Sequence, residues 1–146
     1  MYSFEQLIRE HAEITALART LTRAIEAGAD ADAQHAALTA LADDLADHLA
    51  REDADIYPQL MLSADEGAAS AARDAVRRFE TLAADWVAYL ARWPRDAIET
   101  NPQGFAEASA AILDRLAARI KVENDLLYPL ALRAAQITLR EEQVAA

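Results

Sequence analysis

Five ionisable side chains stand where their surroundings call for apolar ones. His48 and Glu52 lie four residues apart in HLARED, Arg119 and Glu123 four apart in RIKVEN, and His11 sits within REHAEI. In a helix a separation of four is about one turn, so each pair shares a face and can converge on one point. Imidazole nitrogen and carboxylate oxygen suit iron, manganese and zinc, and two neutral imidazoles with two carboxylates neutralise a divalent ion. Arg119 offers a competing answer, because a guanidinium can bridge carboxylates and hold them without metal. Burying a carboxylate with nothing to offset its charge costs several kcal/mol, so Glu52 and Glu123 require one answer or the other. At this level both stay open.

The elements that must position these groups are helical. Ser3 can cap a first helix over about 3–27, with an inward stripe at 4, 7, 11, 14, 17 or 18, 21 and 25 and a stop at Gly28. After an Ala/Asp-rich connection over 27–37, a second stripe at 38, 41, 45, 48, 52 and 56 extends to about Leu62, and Pro58 is expected to kink or end that helix. Ser63 to Gly67 reads as a turn. Val76, Phe79, Leu82, Trp86, Leu90 and Trp93 mark a third helix, halted by Pro94 and followed by a loop to Pro102. The fourth stripe runs 105, 109, 112, 116, 119, 123 and 127, to about Ala134, with a frayed or short helical tail over 135–146. The expectation is a single all-α domain over 1–146, an up-down-up-down four-helix bundle with its core in about 3–134.

Composition narrows the chemistry. With 3 Gly and 4 Pro in 146 residues, an extended sheet is nearly excluded. The 14 basic against 25 acidic residues give a net charge of -11, which argues against nucleic acid and anionic membrane surfaces as partners. Absence of Cys removes disulfides, thiolate metal sites and thiol nucleophiles, so any metal must sit on nitrogen and oxygen. The start MYSFEQLIREH lacks the pattern of a secretion signal and no apolar run approaches a membrane span, so a cytoplasmic location is expected. No nucleophile elbow or Gly-rich phosphate loop is present, and no catalytic residue is assigned. His35 reads as a surface residue, and Trp86, Trp93 and Phe79 as core or interface.

HLAREDADIYPQL, from His48, and RIKVENDLLYPLA, from Arg119, share Glu, Tyr and Pro at matching offsets. With His11, these segments resemble the hemerythrin-like family, the HHE cation-binding domain, over nearly the whole chain. His11, His48 with Glu52, the pair Tyr57 and Pro58, Glu123, and the pair Tyr128 and Pro129 match the family's pattern in order. The resemblance implies a four-helix bundle built around a non-haem di-iron centre. Departures fall in one half of that centre: Phe79 and Ala83 stand where third-helix histidines are usual, and Arg119 where a fourth-helix histidine is usual. The implied site is therefore degenerate, with at most one metal, iron or else manganese or zinc, on His11, His48, Glu52 and Glu123. Arg119 takes the place of the second ion, and Tyr57 and Tyr128 line the pocket. The family likeness suggests sensing of iron or of a diatomic gas. The rival is a metal-free interaction or regulatory domain closed by Arg119. Trp93 and the Ala-rich faces would suit a homo-oligomer.

Overall fold

Local chemistry sets each boundary. The Ser3 hydroxyl accepts from Gln6 N at 3.1 Å and starts α1 (Phe4–Glu26). Gly28, at φ 67°, supplies the left-handed residue beyond the α1 C-terminus. Asp30 then accepts from Ala33 N at 2.8 Å, and α2 (Ala31–Arg51) begins at once. The connection is thus 27–30 rather than 27–37. Gln34, expected in a linker, is buried in the first turns of α2 and donates from Nε2 to Ala29 O at 2.8 Å. The computed structural model describes residues 3–134, so the tail expected over 135–146 lies outside the described residues.

Pro58 does not end the second helix. A π turn, Glu52–Ile56, precedes it, and Tyr57 N donates to Glu52 O, five residues back, before α3 (Tyr57–Met61) carries on. The wide turn absorbs the proline, whose missing N–H and bulky ring an α-helical interior would not accept.

The third helix is broken. α4 (Glu66–Phe79) starts on the Asp65 carboxylate, which accepts from Gly67 N, and α5 (Leu82–Arg92) starts anew after Glu80 and Thr81. Arg115 fixes the new start by donating to Thr81 Oγ1 at 2.9 Å and to Asp85 Oδ2 at 2.8 Å. In α5 the buried positions are Leu82, Trp86 and Tyr89, and Ala83, which stands where the resembled family usually has a histidine, is only half-buried. The expected loop from Pro94 to Pro102 contains α6 (Arg95–Thr100), entered from Pro94, whose carbonyl accepts from Ala97 and Ile98.

The device at Pro58 recurs near the other end of the chain. There α7 (Pro102–Val122) passes into a second π turn, Glu123–Leu127, with Tyr128 N donating to Glu123 O, and helix resumes over 128–134 through Pro129. Each π turn presents two consecutive inward residues, Ile56 with Tyr57 and Leu127 with Tyr128, all buried. Among the described residues there is no strand, and the observed fold is all-α, as expected.

The described chain gathers into two compact units. One comprises 3–50 and 81–117. Its core includes Leu7, Ile14 and Leu21 of α1, Leu38, Leu41 and Leu45 of α2, and Phe105 of α7, which stacks with Tyr89 at 6.1 Å. Tyr89 and Ser109 share a buried 2.6 Å hydrogen bond. The other unit comprises 51–80 and 118–134. Here α4 turns Ala68, Ala69, Ala72 and Ala75 inward, all buried, and packs on α3 and on the second π turn. Alanine on that face permits close approach.

Candidate metal centre

The inward stripe of α2 reaches His48, and one turn later Glu52 opens the first π turn. His48 is 2% exposed and Glu52 0%. On α1, His11 is buried as well; its ring meets that of His48 edge-on, with centroids 4.7 Å apart and planes 63° apart. Beside it, Glu10 Oε2 lies 3.3 Å from His48 Nδ1. Two buried imidazoles are thus held together.

The carboxylates are tied crosswise. Tyr57, after the first π turn, donates from its hydroxyl to Glu123 Oε2 at 2.7 Å; Tyr128, after the second, donates to Glu52 Oε2 at 2.7 Å. Each repeat therefore supplies the phenol for the other repeat's glutamate. Burial foremost, and then the glutamate charges, push both phenols far above the ordinary tyrosine value, so they remain donors.

Arg119, 3% exposed, lies among these groups. Its Nε donates to Glu123 Oε2 at 3.2 Å and its Nη2 to Asp53 Oδ1 at 2.9 Å, while Nη2 is 3.6 Å from Glu52 Oε1. The guanidinium carbon also sits 5.1 Å from the centroid of the Tyr57 ring. Burial works against its charge, but Glu123 and Glu52 outweigh that, and its pKa moves further up.

His11, His48, Glu52 and Glu123 each offer one ligand atom, and those four atoms all lie within 4.8 Å of one another. Two imidazole nitrogens and two carboxylate oxygens, with no sulfur, form a donor set that fits iron, manganese or zinc. All seven residues singled out in the sequence, these four with Arg119, Tyr57 and Tyr128, are buried. Phe79, where a histidine is usual in the resembled family, is buried too, with Arg78 rather than a carboxylate over its ring at 5.0 Å. Sequence reasoning missed Asp53 and Glu10. Both are off the inward stripes and reach the site from its edge, and their only signal was adjacency to Glu52 and His11. His35, expected on the surface, is half-buried.

The family model described as the Hemerythrin HHE cation binding domain matches residues 3–131. Comparison with curated proteins and with solved structures returns no significant match. The chain belongs to the hemerythrin HHE cation-binding family.

Proposed function

We propose that this hemerythrin-family chain holds a single divalent ion, iron in preference to manganese or zinc, on His11, His48, Glu52 and Glu123, and serves as a cytoplasmic module that senses iron or a diatomic gas. The observation that carries the proposal is the approach of four nitrogen and oxygen ligand atoms to within 4.8 Å of one another in a buried setting.

Charge supports it. Glu52 and Glu123 bring two buried negative charges against the single positive charge of Arg119, with Asp53 and Glu10 adding to the negative side at the rim, so a cation would meet a net negative setting. Iron bound there would supply a redox couple and a coordination position open to a small ligand. The protein's own groups then have distinct tasks. His11 and His48 give neutral nitrogen donors. Tyr57 and Tyr128 donate to Oε2 of the two glutamates and hold both carboxylates in place, so that they could serve as oxygen donors. Arg119 keeps a positive charge against the same carboxylates, opposing a second cation beside them. Reversible dioxygen carriage, which draws electrons from two irons, does not fit a centre built for one.

The reach of Arg119 to all three carboxylates favours a second reading, a metal-free bundle in which the guanidinium serves as the counter-charge and the helices act as an interaction or regulatory domain. Elemental analysis of untagged full-length protein separates the two. The metal reading expects about one ion per chain, lost in His48→Ala. No uptake after anoxic reconstitution with Fe²⁺, Mn²⁺ or Zn²⁺ would overturn the first reading and support the second, and two ions per chain would overturn both.

A further inference from the structure

We propose that Glu10 is a positioning residue: it fixes the tautomer and orientation of the His48 imidazole and thereby sets the metal affinity of the centre. This rests on the metal-binding reading above, and the test is arranged so that the two fail separately.

Glu10 Oε2 lies 3.3 Å from His48 Nδ1, with the His48 side chain 2% exposed and that of Glu10 16%. A carboxylate only accepts hydrogen bonds, so Nδ1 carries a proton, and in the neutral form of the ring that a metal requires the lone pair then falls on Nε2. Without Glu10 the two tautomers of a buried neutral imidazole compete, and part of the population places N–H where the ion must bind. The ring is restrained on two sides. The edge-on contact with His11 limits its tilt, and the Glu10 hydrogen bond limits its rotation. Glu10 and His11 are neighbours on α1, so one stretch of helix carries both a ligand and the group that aims another. Partners of this kind, which orient a ligating histidine and raise its basicity, typically change metal affinity by about 10–100-fold when removed.

The test uses the full chain and three forms: the natural sequence, Glu10→Ala, and Glu10→Gln, whose amide oxygen still accepts from Nδ1. Nitrogen-15 shifts of His48 are read in metal-free protein, and anoxic Fe²⁺ affinity is read by chelator competition. Expected are an Nδ1–H tautomer in the natural sequence, a mixed population in Glu10→Ala with affinity lower by about 10–100-fold, and recovery of both in Glu10→Gln. A proton on Nε2 in the natural protein, an unchanged tautomer in Glu10→Ala, or equal Fe²⁺ affinity of Glu10→Ala and natural protein would each overturn the proposal. Should the natural protein take up no Fe²⁺, the metal-binding reading fails, and the tautomer measurement still decides whether Glu10 holds His48.

Discussion

Replacing Arg119 by Met removes the buried charge while keeping an unbranched chain of similar reach, so the cavity contribution stays small. The electrostatic consequence is large. Glu52 and Glu123 are 0% and 1% exposed, and removing one partner of a buried ion pair typically costs about 3–5 kcal/mol. Asp53, whose side chain is 51% exposed, adds little, because solvent screens it. For a chain of this length about 3–5 kcal/mol corresponds to a fall in Tm of about 6–20 °C, a large share of a typical total stability of about 5–15 kcal/mol. The assay is urea denaturation followed by circular dichroism, with and without Fe²⁺ after treatment with chelator. The metal-free Arg119→Met protein should lose the full amount with little change in m-value. Fe²⁺ should stabilise it more than it stabilises the natural protein, because the ion takes over the counter-charge that the guanidinium supplied; an excess of about 100 times Kd returns about 2.7 kcal/mol. If Arg119→Met stays within about 0.5 kcal/mol of the natural protein and binds Fe²⁺ no more tightly, the role given to the guanidinium is refuted.

Tyr128→Phe deletes the 2.7 Å hydrogen bond to Glu52 but keeps the ring, and should cost about 1.5–3 kcal/mol in metal-free protein; Tyr57→Phe, which loses the matching bond to Glu123, should cost a similar amount, both read as shifts in urea midpoint. Alkaline pH should unfold the protein through its buried phenols. Burial raises Tyr89 to about 12 and lifts Tyr57 and Tyr128 further still. Below about pH 10 these phenols are protonated in both states, and the stability they confer is complete; as pH climbs past about 10 the unfolded chain releases protons that the folded chain keeps, and stability falls by up to about 1.4 kcal/mol per pH unit for each phenol. Phenolate absorbance of these three tyrosines should therefore appear only with unfolding, and a smooth titration near pH 10 in folded protein would contradict their burial.

Much of this site was legible because burial writes a 3.6-residue period into a helical sequence. The fourth-helix stripe 105, 109, 112, 116, 119, 123 and 127 is buried at every position, and the intrusion of Arg119 and Glu123 into it was visible without coordinates. The π turns were not. A single Tyr-Pro pair reads as a helix end, and periodicity cannot register one extra residue in a turn, although the paired repeats hinted that Pro58 and Pro129 had a common local setting. The break at Glu80 and Thr81 has no Gly or Pro to announce it; it depends on Arg115, which is remote in sequence. Helix α6 hid between two prolines in a polar stretch. Glu10 and Asp53 escaped because a stripe records where Cβ atoms point, whereas long or flexible carboxylates can bend around from a neighbouring position.

The crosswise phenol bonds mean that neither repeat is self-sufficient. A peptide holding only the first copy would keep Glu52 and lose the hydroxyl that caps it, and a peptide holding only the second would do the same to Glu123. The two copies are obliged to fold together, and a lesion at either tyrosine is felt first at the carboxylate of its twin.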